Sequence, residues 1–280
     1  MIILASCKKD SDNGGNTPGG SQTVEVRTSR FLLNDVTYEE ASADGGQTWN
    51  VVEIEDHSQC NVDFTWNDKL LSNIKQDNVY FEFGDEYHYN VNYDFRYDNN
   101  KLSRVTVEMS EDGEIYTVRM DVEYGGDDMS ELTVYEDGEI AGVFHLEYSN
   151  GKLSLITDEY NNFVFNWNGD NLSEFLNDNW CEKYVSYDDN KNSFYGTDVF
   201  TIYFFLDNIF NGIEGNMRFL SKNNCTDIDT PEGSMTIEYE YNSNGYPTKA
   251  VNEWTYNIHN EYGYGTRTRS EMIYTYEYLD

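Results

Sequence analysis

The sequence predicts an all-β protein: one large antiparallel hairpin meander, curled or barrel-like, with a single short helix near 199–213. Three features lead to that expectation. Apolar and polar residues alternate with period two, one turn motif recurs along the chain, and a second class of tight turn falls between its copies.

The alternation is clearest from Tyr116 onward. Val118, Met120, Val122 and Tyr124 are apolar, while Thr117, Arg119, Asp121 and Glu123 are polar. That is the pattern of a strand with one buried and one solvated face. Tyr87, Tyr89, Tyr93, Phe95 and Tyr97 read the same way. Aromatics make up 16% of the chain, with 24 Tyr, 15 Phe and 5 Trp, against a hydrophobic content of only 38%. Large rings supply much buried area per residue and suit a pleated surface. The 3 Pro against 21 Gly fit a sheet punctuated by glycine turns.

The recurring motif is an aromatic, a short polar turn, often a Lys, then Leu or Met and often Ser. It appears as Trp66-Asn67-Asp68-Lys69-Leu70, Tyr97-Asp98-Asn99-Asn100-Lys101-Leu102-Ser103 and Tyr124-Gly125-Gly126-Asp127-Asp128-Met129-Ser130. It returns as Tyr148-Ser149-Asn150-Gly151-Lys152-Leu153-Ser154 and Trp167-Asn168-Gly169-Asp170-Asn171-Leu172-Ser173, with fainter copies at Tyr187 and Tyr241. Successive starts lie roughly 19 to 31 residues apart, the length of two strands and two turns. Between the copies, Glu111-Asp112-Gly113-Glu114 and Glu136-Asp137-Gly138-Glu139 carry Asp-Gly, which accepts the positive φ angles of a tight hairpin. The two turn classes therefore belong to opposite edges of the meander.

Val199 to Ile213 departs from the alternation with Phe200, Ile202, Tyr203, Phe204, Phe205, Leu206, Ile209 and Phe210, and Thr197 and Asp198 stand before it as caps. Its length permits a buried helix, and its β-branched and aromatic content also permits a central strand. The helix, covering one face or end of the sheet, is the reading taken.

The chain opens Leu4-Ala5-Ser6-Cys7, which resembles the lipobox of bacterial lipoproteins. The resemblance implies cleavage before Cys7 and acylation of its thiol. The apolar run ahead of Cys7 is too short for a complete export signal, so residues 1–7 read as a truncated one. Residues 8–27 read as a flexible acidic tether, and 28–280 as one repeat-containing β domain. Lys9-Asp10-Ser11-Asp12 is similar to the acidic signal that sends some Bacteroidetes lipoproteins to the cell surface.

The upstream turns, Ser221-Lys222-Asn223-Asn224 and the run Thr236 to Lys249 are together similar to a family of Bacteroidetes lipoproteins of unknown function with a porin-like fold. The resemblance covers roughly residues 60–280 and departs from the family at Cys225, where Pro is expected, and in its acidic turns. It implies a fold and an outer-membrane location in the cell envelope; it brings no catalytic residues. A membrane-spanning wall needs an unbroken apolar band, and the short, acidic strands argue instead for a solvated sheet.

The net charge of −34, from 52 acidic and 18 basic residues, repels phosphate backbones, so nucleic acid is not an expected partner. The membrane is reached through the lipid on Cys7. Of the remaining cysteines, Cys60, Cys181 and Cys225, any two could form a disulfide, and none has the spacing of a zinc or redox site. Ser42-Ala43-Asp44-Gly45-Gly46-Gln47-Thr48-Trp49 matches the Asp-box of sialidase propellers, but it occurs once and reads as a local turn. His57, His88, His145 and His259 are isolated in sequence. No catalytic constellation, metal site or cofactor motif stands out. Trp180 and Trp254 are candidates for a sugar-stacking platform, set against the commoner role of aromatics in a core. The leading expectation is a non-enzymatic ligand-binding lipoprotein, with a glycan or a host macromolecule bound on a β face. A scaffold of an envelope complex comes second, and a glycoside-processing enzyme a distant third.

Overall fold

Period-two patterning puts every second residue of a strand on one face, and in this protein that face turns inward. The computed structural model describes residues 27–42, 48, 50–82, 85–111, 114–177, 180–195, 198–211, 216–256 and 265–279. The chain runs through β1 (Arg27–Ser42), β2 (Asn50–Asn67), β3 (Leu70–Glu82), β4 (Asp85–Asp98), β5 (Lys101–Glu111), β6 (Glu114–Gly125), β7 (Asp128–Glu136) and β8 (Glu139–Ser149). It continues through β9 (Lys152–Thr157), β10 (Asn162–Asn168), β11 (Asn171–Asn177) and β12 (Trp180–Lys191). After α1 (Asp198–Asn211) and a 3-10 turn (Asn216–Leu220) come β13 (Asn223–Asp229), β14 (Gly233–Tyr241), β15 (Pro247–Tyr256) and β16 (Gly265–Leu279). Each strand pairs antiparallel with its sequence neighbours, and β1 closes the barrel against β16 from Arg27↔Leu279 to Ser42↔Gly265. The expected meander is thus a closed barrel of sixteen strands.

A sixteen-strand barrel leaves an interior wider than strand side chains can fill. Here α1 occupies it. The apolar segment is the helix rather than the strand, starting at Asp198 and ending at Asn211. Phe200 packs edge-on to Phe64 and Trp66, Tyr203 to Tyr93, and Phe205 to Phe144 and Phe163. These partners stand on the inner faces of β2, β4, β8 and β10, so the helix lies inside the barrel rather than over its outside. The Tyr203 hydroxyl accepts a hydrogen bond from Gln76 Nε2 at 2.7 Å. In the 3-10 turn Arg218 is fully enclosed, its guanidinium over the rings of Phe219 and Tyr274.

The recurring motif forms a belt around the end of the barrel from which α1 descends. At each copy the ladder bulges at the aromatic: Thr65/Trp66, Arg96/Tyr97, Glu123/Tyr124, Glu147/Tyr148 and Asn166/Trp167. A bulge leaves a carbonyl without its ladder partner, and the motif's Ser supplies one. Ser72 donates to Thr65 O, Ser103 to Arg96 O, Ser154 to Glu147 O and Ser173 to Asn166 O, at 2.9 to 3.2 Å. In the first copy register pairs Trp66 with Leu71, so Leu71-Ser72, not Leu70, completes the motif. The aromatic reaches back to the preceding hairpin: Tyr97 donates to Leu71 O at 2.8 Å and Trp167 Nε1 to Leu153 O at 2.7 Å. The Lys reaches forward. Lys101 donates to Gly126 O and lies over the Tyr124 ring; Lys152 meets Asp170 and lies over Trp167. Positive φ at Asn99 (52°) and Asn100 (64°) closes the tight turn that presents Lys101.

The outer face is polar. Arg30–Asp63, Lys75–Asp77, Arg104–Asp121 and His88–Glu86 pair along it. A lipid-facing wall requires the opposite polarity, apolar outside and polar within. Among the described residues no helix is long and apolar enough to cross a membrane. Cys60, Cys181 and Cys225 are all free thiols. The proposed signal (1–7) and tether (8–27) lie outside the described residues except for Arg27, which belongs to β1 rather than to a tether.

Both levels of this architecture are testable by urea unfolding. Tyr97→Phe removes one inter-hairpin hydrogen bond and is expected to cost about 1 kcal/mol. Phe205→Ala empties a site between α1 and the wall and is expected to cost about 3–5 kcal/mol. A near-neutral Phe205→Ala would contradict an interior helix.

Candidate functional site

Along the inner face, residue chemistry changes with distance from the belt. Near the belt the inward row is sealed and apolar: Ile74, Val105 and Leu132 have no exposed surface. Farther along, β3 presents Gln76, Asn78 and Tyr80, and β4 presents Val91, Tyr89 and Tyr87. On β5 the row runs Val107, Met109, Glu111, and on β6 it runs Val118, Tyr116, Glu114. Register holds these in line, with Asn78 opposite Tyr89, Tyr80 opposite Tyr87, Tyr89 opposite Glu111, and Met109 opposite Tyr116. An apolar core therefore gives way to tyrosines and then to carboxylates.

In this far half the inner row stays buried at Glu182, Met235, Trp254 and Ser270, and it is less enclosed on β3 to β6. Tyr80, Tyr87 and Tyr89 are half-buried, and Tyr116 is 41% exposed although it points to the inner face. Tyr80 stacks on Tyr87 with centroids 5.0 Å apart and meets Tyr89 edge-on at 6.0 Å. The Tyr80 hydroxyl approaches Glu111 Oε1 at 3.4 Å. The Tyr116 hydroxyl donates to the Glu136 carboxylate, which holds the phenol up at about 12. On the neighbouring β16 and β1, Ser270 donates to Asp35 Oδ1 at 2.7 Å and lies 3.1 Å from Thr37 Oγ1.

Trp180 and Trp254 both fall on inner-face positions, on separate strands β12 and β15. Trp180 is half-buried, and its Nε1 donates to Glu182 Oε1 at 3.3 Å. Glu182 has no exposed surface and also accepts from the Tyr184 hydroxyl; burial and this carboxylate push the Tyr184 phenol far up. Trp254 lies between Met235 and Ser270 with 1% of its surface exposed, its indole covered by the core.

The histidines sit elsewhere. His57 stacks on Phe81 at 3.9 Å, His88 meets Glu86 at 2.6 Å, and His145 meets Glu131 at 3.3 Å. Cys7 and His259 lie outside the described residues, as do positions 43–47 and 49 of the Asp-box. Among the described residues no group of three or more His, Cys, Asp and Glu is arranged to hold a metal ion.

The tyrosines and acids at the far mouth are the residues that sequence reasoning missed as a site. Tyr87 and Tyr89 are legible there as strand residues, but not as the lining of an opening. Counting the alternation back from Val118 through Tyr116 to Glu114 would have put a carboxylate on the buried face, which is the available signal.

At the belt end, Asp198 opens α1 among Tyr97, Tyr124 and Tyr148, each of which feels its charge. It keeps contact with water, yet partial desolvation and then Asp128 raise its carboxyl to about 6.

No protein-family model matches the chain, and no curated protein matches it. Among solved structures it is similar to a porin-like protein from Bacteroides uniformis at 13% identity and a TM-score of 0.38. The alignment covers 89% of this chain and 96% of that one.

The raised carboxyl has a defined consequence. The folded state holds the Asp198 proton to higher pH than the unfolded chain, whose carboxyl titrates near 3.8. The stability this proton gives is full below about 4 and is lost as pH rises through about 6. Asp198→Asn should therefore melt higher than the parent above neutrality, with the gap closing on acidification. A pH-independent gap would contradict the placement of Asp198 among the tyrosines.

Proposed function

We propose that the protein is a non-enzymatic binding protein of the cell envelope, held at the outer membrane by lipid on Cys7 and taking a glycan against the less enclosed β3 to β6 side of its barrel. The observation behind this reading is the tier of half-exposed tyrosines on a concave inner wall: Tyr80, Tyr87, Tyr89 and Tyr116, less enclosed at the mouth and closed behind by α1. Rigid aromatic faces in a concave, partly wetted site offer sugar C–H surfaces a large contact area, and the polar groups around them fix hydroxyls. Trp180, half-buried on the inner face of β12, is a separate aromatic on the far side of the ring.

The polarity of the wall supports the anchor. An outer face of ion pairs gains nothing from a bilayer, so attachment falls to the N-terminal segment with Leu4-Ala5-Ser6-Cys7 and a polar tether. The barrel then stands off the membrane, facing the cell exterior.

The test is a glycan-array screen of the full chain carrying Cys7→Ser, followed by titration with any hit while tryptophan emission is recorded. Saturable binding that Tyr80→Ala weakens is the expected result; no glycan bound at any concentration would overturn the reading. Mass spectrometry of the native protein tests the tether separately, with an acylated Cys7 expected and a free thiol contradicting it.

A further inference from the structure

The mouth carries a charge arrangement that a generic glycan site does not need. The hairpin joining β5 to β6 places Glu111 directly opposite Glu114, and the one joining β7 to β8 places Glu136 opposite Glu139. Glu111 also pairs with Tyr89, and Glu136 with Val118, so these carboxylates stand on the inner face. All four residues are exposed. Like charges directly opposite on one face of a sheet oppose folding. Among the described residues no lysine, arginine or histidine occupies the inner rows of β3 to β7 in this half to neutralise them.

Below the rim lie the tyrosines, whose π faces attract cations as well as C–H groups. One step deeper on β3, directly opposite Tyr89, is Asn78. It is 8% exposed, and its Nδ2 has no hydrogen-bond partner among the described residues. A buried donor left unsatisfied is costly, and it points to an acceptor brought by a ligand.

We propose that the mouth recognises an aminated saccharide: a sugar whose ammonium groups meet Glu111, Glu114 and Glu136, whose C–H face lies on Tyr80 and Tyr87, and whose hydroxyl oxygen accepts from Asn78 Nδ2. This rests on the glycan reading above and specifies its chemical class. A polyamine would satisfy the carboxylates and the rings but has no oxygen for Asn78, and a neutral sugar would leave the rim repulsion uncompensated.

The experiment compares a glucosamine oligomer, its N-acetylated counterpart of equal length, and spermidine, by calorimetry on the full Cys7→Ser chain. Mildly acid pH keeps the sugar amines protonated. The aminated oligomer should bind tighter than the acetylated one by about tenfold, the combined strength of three exposed ion pairs. The triple variant Glu111→Gln, Glu114→Gln, Glu136→Gln should lose that preference. An outer-face triple with the same change in net charge, Glu108→Gln, Glu123→Gln, Glu238→Gln, should retain it. Asn78→Leu should weaken both oligomers and leave spermidine unchanged. Equal binding of the two oligomers would overturn the aminated class and leave the glycan reading standing; failure of every sugar, here and on the array, would remove both. Spermidine binding as tightly as the aminated oligomer, or equal losses in the two triple variants, would show recognition of charge alone and would also overturn the proposal.

Discussion

Closing sixteen strands into a ring creates an interior too wide for strand side chains to fill. Water would occupy a polar interior, as in a porin, but the inner face here is largely Val, Leu, Ile, Phe and Tyr, and an apolar space of that width needs solid content. The chain supplies it from its own connection between β12 and β13. Phe200, Tyr203 and Phe205 reach inner residues of β2, β4, β8 and β10, and Arg218 is drawn in behind them. The filling is asymmetric, because the helix enters from one end only. The belt half is therefore packed all round, while in the far half the β3 to β6 side is lined by partly exposed tyrosines and exposed glutamates. Whatever binding the protein performs follows from that asymmetry.

The belt gives the packed end its stiffness. Tyr97 and Trp167 join their hairpins to the one before, Lys101 and Lys152 join theirs to the one after, and a serine satisfies the carbonyl exposed by the bulge in four copies. Antiparallel neighbours already share ladder bonds, so these side chains add a second set of links near the turns. The same bulges increase local twist and help a sheet of this width curl to closure. Among the described residues the hairpins at the far end carry no such belt, and Glu114, Glu136 and Glu139 there face water.

Much of this was legible in the sequence, because it is local. Alternation from Tyr116 to Tyr124 gave a strand, Asp-Gly gave tight turns, and the aromatic–Lys–Leu–Ser motif marked alternate hairpins. Why the motif recurs was not legible: its hydrogen bonds join neighbouring copies, and a carbonyl exposed by a bulge leaves no mark in a linear pattern. The helix from Asp198 was readable from its apolar run, but its place inside the barrel depends on closure, which is set by register over the whole ring. For the same reason, nothing local separates Trp254, covered by core, from Trp180, half-exposed toward the inside. The acidic rim was the least visible, since Glu111 and Glu114 are one pair among 52 acidic residues until register sets them face to face.

The central claim is that α1 fills the belt half of the barrel interior and leaves the inner wall around β2 to β6 less enclosed beyond it, and two native thiols report on it. Cys225 lies on β13 at the sealed end, enclosed, with burial pushing its thiol up to about 12. Cys60 stands on the inner wall of β2 between Leu33 and Asn78, half-exposed on the less enclosed side. Maleimide labelling of the folded protein, read by peptide mass spectrometry, should modify Cys60 while Cys225 stays unmodified until the barrel unfolds. Labelling of Cys225 at the rate of Cys60 under native conditions would contradict the account.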